Sequence, residues 1–476
     1  MKTRTLCIHG HFYQPPREHP FSGVIPPEGG AAPFANFNEK ITAECYAPNA
    51  RAGNFHLLSF NLGPTLAQWL AGYDGNTYHQ IVEADRQNVR RWGVGNALAQ
   101  AYNHTILPLA HRRDKETQIA WGIADFHHRF GRLPQGMWLP EMAVDLETLE
   151  VMAEQGIEFT VLSVRQARQS VDVARPYWVR LPAGRRMAVF FRHEDLSNRL
   201  AFDPYLTERA LRFAELLDAT VNGGGGLYLI ATDGETFGHH QPGRERFVTD
   251  LLTQLAPQRG YQVGYLAHFL RQNPAVEEVE IWEHTAWSCW HGLARWREGC
   301  SCTSGGSRWK GILRQAMDRL AWEIDALFLA ETYRRVADPW SMRREAIRVW
   351  LGQESGPSLV ARHAGGGLTS ADQARLLTLL EAQRYRQAMY TSCGWFFDDL
   401  GRIEPGLVIA YAAKAIQLVR QACGIGLEKD FRKDLSQASS AVTGQSGAGI
   451  YDRILAQAVA ASAALPVGQQ PVGEIQ

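Results

Sequence analysis

The feature that most constrains the fold is a series of short apolar runs that each end abruptly in polar or charged residues. Four of them span residues 5–8, 136–139, 187–191 and 227–230. Helical patterns lie between them. Strands that alternate with helices form parallel sheets, and polar side chains just past the strand ends are typical of the carboxyl-terminal face of a (β/α) barrel. The first 275 residues are therefore predicted to form a barrel, with a doubly wound open sheet as the structural alternative.

Two of the intervening helices can be delimited from the sequence. Residues 115–130 repeat apolar side chains at intervals of three and four, and Gly131 is placed to end that helix. Asp145 is placed to cap the start of a second helix, which should end near Gly156. Both helices follow a predicted strand or precede one, as an α/β fold requires.

The second half of the chain has a different pattern. From about residue 306 long helical periodicity replaces the strand signals, and residues 312–328 carry one continuous apolar stripe. We therefore predict a catalytic barrel at 1–275, a helical C-terminal domain at 276–430 and a weakly patterned tail at 431–476. The length of 476 residues fits two or three domains.

Charge and composition limit the classes of partner. Lys plus Arg and Asp plus Glu both number 49, so we expect neither nucleic acid nor an anionic membrane as the ligand. The start of the chain lacks the apolar core of a signal peptide, and no run approaches ~18 apolar residues. The seven cysteines show no disulfide framework. These features predict a soluble cytoplasmic protein with reduced thiols and a neutral partner.

Three carboxylates occupy the predicted strand ends. Glu141 follows Trp-Leu-Pro at the end of one apolar run, and Asp233 and Glu235 follow the most apolar strand in the chain. Cleavage of a glycosidic bond requires two carboxyl groups, one that attacks or activates water and one that protonates the leaving group. A single strand-end acid also commonly caps a helix or pairs with Arg, so the inference depends on the pair.

The two contexts together resemble signature motifs of glycoside hydrolase family 57, whose members are retaining enzymes active on α-glucans. In that family the Glu after Trp-Leu-Pro is the nucleophile and the Asp of Asp-Gly-Glu is the general acid/base, which implies these roles for Glu141 and Asp233. Residues 11–15 and 102–109 are similar to further family elements. The resemblance implies an incomplete (β/α)7-type barrel, followed by the uncharacterised helical region of one subgroup.

The resemblance also implies a set of substrate contacts and no cofactor. The expected substrate-binding residues are His9, His11, Gln14, His104, Trp138, Glu235, His239, Trp287, Trp290 and His291. The family has His where this chain has Tyr13, so His11 is expected to supply that contact. Glu235 is the expected source of the negative charge that keeps Asp233 protonated. A retaining mechanism requires carboxyl groups roughly 5 to 5.5 Å apart.

Other interpretations stay open at this point. If a sugar rather than water resolves the intermediate, the enzyme is a transglycosylase such as a 4-α-glucanotransferase or a branching enzyme. The chain also resembles a metal-dependent hydrolase or deacetylase in the metal ligands that it offers, which are His9, His11, Asp233 and His239–His240. A non-catalytic glucan-binding protein is a third possibility. The group of Cys289, Cys300, Cys302 and His291 is either a structural zinc site or a set of free thiols.

Overall fold

The computed structural model describes residues 3–221, 224–304, 306–364 and 367–464. The end of the predicted tail, residues 465–476, lies outside the described residues. The chain divides into two compact units. The first comprises Met1–Gln14, Pro27–Ala101 and Phe126–Trp287, and the second comprises Pro15–Pro26, Tyr102–Asp125 and Ser288–Gln476.

The first unit is built on a mainly parallel β-sheet. Its strands are β1 (Arg4–Phe12), β2 (Ser59–Leu62), β3 (Ala97–Gln100), β4 (Met137–Trp138), β5 (Phe159–Ser163), β6 (Tyr177–Arg180), β7 (Arg186–Arg192), β8 (Gly226–Asp233) and β9 (Tyr261–Val263). The order β4-β3-β2-β1-β8 is parallel throughout, and β5 pairs in parallel with β7. The β6 strand is antiparallel to β7, and β9 pairs with the start of β1.

Two further links close these strands into a barrel. A parallel bridge between Gly136 and Phe159 joins β4 to β5. At the other side the backbone N–H of His193 donates to the carbonyl of Leu229 at 2.7 Å, which joins the end of β7 to β8. Among the described residues, seven strands therefore run round the barrel: β1, β2, β3, β4, β5, β7 and β8. The predicted incomplete (β/α) barrel is confirmed.

The helices of this half of the chain connect the strands. They are α1 (Phe37–Ile41), α2 (Ala47–Arg51), α3 (Pro64–Tyr73), α4 (Gly75–Trp92), α5 (Arg112–Phe130), α6 (Leu146–Glu154), α7 (Glu194–Phe202), α8 (Pro204–Glu208), α9 (Ala210–Val221), α10 (Arg244–Asp250), α11 (Ala256–Gln258) and α12 (Leu266–Gln272). As predicted, the Asp145 side chain caps α6 by accepting from the N–H of Thr148, and Gly131 follows α5 with φ 71°.

Apolar side chains from alternate strand positions fill the barrel interior. Cys7, Phe159, Phe190 and Leu229 belong to this core, and all are fully buried. Trp138 and Met142, which flank the Glu141 turn, are part of the same core. The turn that carries Glu141 is therefore anchored on both sides by packing that the barrel itself provides.

The second unit is helical, as the periodicity predicts. Its helices are α13 (Ala294–Arg297), α14 (Arg308–Thr332), α15 (Pro339–Glu345), α16 (Ile347–Trp350), α17 (Gly356–His363), α18 (Ser370–Ala388), α19 (Cys393–Phe396), α20 (Ile403–Cys423), α21 (Glu428–Leu435) and α22 (Gly447–Ala464). The apolar stripe of α14 is buried at Leu313, Met317, Leu320, Ile324 and Phe328. Among the described residues, no helix is both long and apolar enough to cross a membrane.

A cluster of buried charges lies inside the second unit. Arg386 bridges Asp114 and Asp325, at 2.8 Å to each, and Arg343 pairs with Asp114 at 2.8 Å. All four side chains are almost fully buried. Burial alone raises the pKa of Asp114, but Arg386 and Arg343 outweigh it and hold that pKa below its ordinary value. Each charge is therefore compensated, and removal of one leaves its partners with less compensation in a low-dielectric interior.

Replacing Arg386 by Met should destabilise the second unit by about 3–5 kcal/mol, because Asp114 and Asp325 each lose a buried partner. Thermal unfolding followed by circular dichroism and calorimetry measures the effect. Arg432→Met is the control, since Arg432 pairs with Asp452 at the exposed surface, where an ion pair contributes little. Equal transition temperatures for the two variants would show that the cluster does not stabilise the fold.

Candidate active site

Glu141 lies on a strained turn immediately after β4. Its φ is 59° and that of Met142 is 48°, so two consecutive non-glycine residues occupy the left-handed region. Such residues cost on the order of 1–3 kcal/mol each and persist only where surrounding contacts hold them. Here the Met142 N–H donates to Leu139 O at 2.8 Å, and Gln166 Nε2 donates to Met142 O at 2.7 Å. The turn aims the Glu141 carboxylate in one direction.

Trp287 holds Glu141 at two points. Its backbone N–H donates to the carbonyl of Glu141 at 3.0 Å, and its indole Nε1–H donates to Glu141 Oε2 at 3.1 Å. The Arg192 guanidinium lies over the Trp287 ring, 5.2 Å from its centroid. The predicted site residue Trp287 thus contacts the predicted nucleophile directly, and it fixes the orientation of that carboxylate.

Asp233 is the last residue of β8 and lies opposite His11 in the parallel register. The next residue, Gly234, passes so close to Phe12 that a Cβ at this position would meet the ring at 2.4 Å. Only glycine therefore allows the chain to turn here between Asp233 and Glu235. Solvent reaches Asp233, although protein atoms crowd its carboxyl group on the remaining sides.

This crowding changes the acidity of Asp233. Burial, followed by repulsion from the charge of Glu141, raises its pKa to about 7, and Arg192 partly opposes the rise. Strands β4 and β8 are four positions apart in the sheet order, about 19 Å if the sheet were flat. The repulsion therefore reflects the curvature of the barrel, which brings the two strand ends towards each other. Glu141 and Asp233 are thus electrostatic neighbours.

Glu235 is held by hydrogen bonds from two tyrosines. Its Oε1 accepts hydrogen bonds from the Tyr13 backbone N–H at 3.1 Å and from the Tyr46 hydroxyl at 2.6 Å. Burial raises its pKa to about 8, with a further contribution from Asp233. Asp233 and Glu235 thus repel each other, and Glu141 adds a second negative charge that raises the pKa of Asp233.

His9 and His11 form a buried stack against Trp138. The rings of His9 and Trp138 are 4.7 Å apart and nearly parallel, and those of His11 and Trp138 are 5.1 Å apart. Asn61 Oδ1 lies 3.1 Å from His9 Nε2 and 3.1 Å from His11 Nδ1. Burial lowers the pKa of His9 to about 3 and that of His11 to about 4, so both rings are neutral. Neither His9 nor Trp138 has exposed surface.

The two other predicted contacts in the first unit are His239 and Gln14. His239 Nδ1 lies 2.6 Å from Glu44 Oε2 and is partly exposed. Gln14 is buried, and its carbonyl accepts from the hydroxyl of Thr65 at 2.8 Å. A single π-helical turn at Thr42–Tyr46, between α1 and α2, carries both Glu44 and Tyr46. That turn therefore supports His239 and Glu235 together.

Three predicted site residues belong to the second unit. His104 has φ 54°, and its Nδ1 lies 2.6 Å from the Ser392 hydroxyl. Trp290 exposes 77% of its surface. His291 turns Nδ1 towards Cys302 Sγ at 3.3 Å. The structure thus gives His104 and His291 hydrogen-bonding partners of their own, and it leaves the Trp290 ring open to solvent.

Several residues of the site were not among those predicted from sequence. Tyr46 contacts Glu235, and Asn61 contacts His11. Arg192 lies over the ring of Trp287, which in turn holds Glu141. For Arg192 a signal existed, since it ends an apolar run just as Glu141 and Asp233 do. Tyr46 lies in a helical turn with no strand-end context, so no sequence pattern distinguishes it from a packing residue.

A cavity of about 540 Å³ lies elsewhere in the first unit. It is lined by residues at the amino ends of β5 and β7, including Glu158 and Arg186. None of the carboxylates or histidines described above contributes to it. In (β/α) barrels the amino-terminal end of the strands serves stability, whereas the carboxyl-terminal end carries the chemistry. The strand-end carboxylates therefore define the candidate site.

The metal-dependent interpretation can be compared with the same geometry. Among the described residues, the His, Cys, Asp and Glu side chains placed to share an ion are Cys289, His291, Cys300 and Cys302. His9 uses both ring nitrogens in contacts with Ser59 and Asn61. The histidines and Asp233 of the barrel thus do not converge on a common point.

Comparisons with known proteins identify the family and the fold. The model of glycosyl hydrolase family 57 matches residues 19–281, and a domain of unknown function (DUF3536) matches residues 306–467. A search of curated proteins gave no match. The match to glycosyl hydrolase family 57 covers more than half of the chain.

Solved structures with a similar fold are distant in sequence. An exo-type maltose-forming amylase from Pyrococcus sp. ST04 has 14% identity and a TM-score of 0.71, over 96% of this chain and 88% of that one. A GH57-type branching enzyme from Pyrococcus horikoshii has 16% identity and a TM-score of 0.59, over 96% and 94%. A 4-α-glucanotransferase from Thermococcus litoralis has 15% identity and a TM-score of 0.57, over 88% and 60%. The chain belongs to glycosyl hydrolase family 57 and is a glycoside hydrolase or glycosyl-transferring enzyme.

Proposed function

We propose that the protein cleaves α-glucans by a double displacement in which Glu141 is the nucleophile and Asp233 is the general acid/base. One observation carries the proposal. Two carboxyl groups at barrel strand ends interact electrostatically, and the charge of Glu141 helps to raise the pKa of Asp233 to about 7. One group is thus suited to attack as an anion while the other still holds a proton. This division of roles is what glycosidic cleavage requires.

In the first step an oxygen of Glu141 attacks the anomeric carbon and the bond from that carbon to the leaving oxygen breaks. The electron pair of that bond stays on the leaving oxygen, which takes the proton of Asp233. The indole N–H of Trp287, at 3.1 Å from Glu141 Oε2, keeps the carboxylate oriented for attack. The products of this step are a glycosyl-enzyme ester at Glu141 and an ionised Asp233.

The second step reverses the role of Asp233. Once Glu141 is esterified it is neutral, so one of the causes that raise the Asp233 pKa is gone and Arg192 stabilises the carboxylate. Asp233 then removes a proton from the incoming acceptor hydroxyl, whose oxygen attacks the anomeric carbon and releases Glu141. Two inversions give net retention. The same pair of carboxyl groups serves both steps because their charges alternate.

The buried rings around the carboxylates have positioning roles in this proposal. His9 and Trp138 lack exposed surface, so we assign them to the support of His11 and of the Glu141 turn rather than to sugar contact. Glu235 fixes the Tyr13 backbone and the Tyr46 hydroxyl. His239 is partly exposed and is proposed to contact sugar hydroxyls. Trp290 is proposed as a flat surface for sugar rings, because its ring is open to solvent.

The α-glucan substrate is supported by the family and by the similar fold of an amylase, a branching enzyme and a glucanotransferase. Incubation with maltoheptaose, amylose and a branched glucan tests it. Shortened chains indicate hydrolysis, a ladder of longer and shorter chains indicates transfer, and new α-1,6 linkages indicate branching. The proposal predicts that each product keeps the α configuration. No change in any of these α-glucans would refute the substrate assignment.

A further inference from the structure

Four metal-binding side chains converge in the second unit, in the segment that includes α13. They are Cys289, His291, Cys300 and Cys302, called here the Cys/His cluster, and their ligand atoms all lie within 4.8 Å of one another. Cys289 Sγ is 3.6 Å from Cys300 Sγ and 3.9 Å from Cys302 Sγ. His291 Nδ1 is 3.3 Å from Cys302 Sγ. Nothing in the proposed glycosidase chemistry uses these residues.

The spacing of the cluster matches a tetrahedral zinc site. With Zn–S bonds near 2.3 Å and Zn–N bonds near 2.0–2.1 Å, tetrahedral ligands stand about 3.8 Å apart between sulfurs and about 3.6 Å between sulfur and nitrogen. The distances from Cys289 to Cys300, from Cys289 to Cys302 and from His291 to Cys302 differ from these values by a few tenths of an ångström. A disulfide requires an S–S distance of about 2.05 Å and uses only two of the four groups. The arrangement therefore fits a shared ion better than a disulfide.

Backbone groups around the cluster hold its side chains in place. The backbone N–H groups of His291 and Arg295 donate to the sulfur of Cys289, and that of Trp290 donates to the sulfur of Cys302. His291 directs Nδ1 into the cluster, while its Nε2 lies 3.4 Å from the Ser301 hydroxyl. A ligating histidine commonly uses its second nitrogen in this way, which fixes both the tautomer and the ring orientation.

A buried cation balances the expected charge. Three thiolates, a neutral imidazole and one Zn²⁺ carry one net negative charge. Lys310 is fully buried near the cluster and interacts electrostatically with Cys300, Asp398 and Cys289. Its Nζ has no hydrogen-bond partner among the described residues. A buried ammonium group is costly unless negative charge compensates it, and an anionic metal centre adds to the charge of Asp398.

We infer that Cys289, His291, Cys300 and Cys302 bind one structural zinc ion, independently of the catalytic carboxylates. The residues between Cys289 and Cys302 contain only one short helix, α13 at Ala294–Arg297. A metal that joins both ends of such a segment replaces the hydrogen bonds of regular secondary structure as the source of order. All four coordination positions are filled by protein, as in structural rather than catalytic zinc sites.

Zinc analysis of the full-length protein tests this inference. Protein purified with a reductant and without chelator should contain about one zinc ion per chain. Elemental mass spectrometry measures the zinc content. Cys302→Ser and His291→Ala should each lower that content at least about tenfold and lower the unfolding temperature. Cys393→Ser and Cys423→Ser are matched controls, because both cysteines lie outside the cluster and should leave the zinc content unchanged.

A second measurement on the unaltered protein covers the case in which a variant does not fold. Metal-free protein loaded with one equivalent of Co²⁺ should show thiolate charge-transfer absorption and the intense visible bands of a tetrahedral site. Failure to retain Zn²⁺ or Co²⁺ after desalting would overturn the inference, as would wild-type zinc content in the folded Cys302→Ser variant. A Cys289–Cys300 disulfide in protein alkylated before reduction would overturn it as well. The outcome is separate from that of the glucan assays.

Discussion

Replacing Glu141 by alanine is expected to lower kcat/KM for maltoheptaose on the order of 10⁴-fold or more, because no other group can form the glycosyl-enzyme bond. The variant should still fold, since its backbone keeps the hydrogen bond that the Trp287 N–H donates to the carbonyl of residue 141. Binding of the glucan, followed by calorimetry, should change little by comparison. A loss of turnover with binding retained distinguishes an enzyme from a non-catalytic glucan-binding protein.

Chemical rescue makes this test specific for a nucleophile. A small anion such as azide or formate can enter the space left in Glu141→Ala and attack the anomeric carbon, giving a product of inverted configuration when the leaving group is an activated phenol. Glu147→Ala is the matched control, because Glu147 is an exposed acid on α6, six residues further along the chain. Full activity in Glu141→Ala would refute the assignment of Glu141 as the nucleophile. The Glu147→Ala control must show normal turnover, so that the loss in Glu141→Ala can be attributed to the Glu141 carboxylate.

Replacing Asp233 by asparagine should lower kcat/KM for maltoheptaose by about 10²–10⁴-fold, the usual contribution of a general acid/base. The loss should be far smaller for an aryl glycoside with a good leaving group, because such a group departs without a proton. Azide should then accelerate turnover, since it attacks the glycosyl-enzyme without a base. Asp250→Asn, at an exposed position of α10, is the control. An equal loss for both kinds of substrate would argue against acid catalysis by Asp233.

The pH dependence of the wild-type enzyme follows from the same residue. Asp233 must be protonated to act as an acid, and its pKa is raised to about 7, so kcat/KM should fall as the pH rises through about 7. Arg192 lowers that pKa. Arg192→Met should therefore move the alkaline limb to higher pH. A limb that stays in place would show that another group controls it.

Local patterns were sufficient to predict the elements that carry the site. The apolar run at 227–230 predicted β8, and the Asp145 cap and Gly131 predicted the bounds of α6 and α5 correctly. These features depend on hydrogen bonds and backbone preferences within a few residues, which the sequence states directly. The same holds for the helical stripe of α14. The family resemblance then implied catalytic roles for Glu141 and Asp233.

Contacts between distant segments were not predictable in this way. The sequence suggested Glu235, two residues away, as a charge that acts on Asp233, and the structure adds the charge of Glu141, 92 positions earlier. Tyr46 reaches Glu235 only because a π-helical turn directs it there. Trp138 is predicted from the sequence to contact the substrate, and the structure buries it fully against His9. Each of these contacts joins segments that are distant along the chain.

The sequence by itself predicted four of the strands, the strongly periodic helices and the two carboxylates that follow strand ends, because periodicity, caps and turns are encoded within short segments. Tertiary structure alone decided the acidity of those carboxyl groups. Closure of the barrel crowds Asp233 and places the charge of Glu141 near it, while Tyr13 and Tyr46 engage Glu235. The acidity of a carboxyl group depends on burial and on charges in space, and neither quantity can be read from neighbours along the chain.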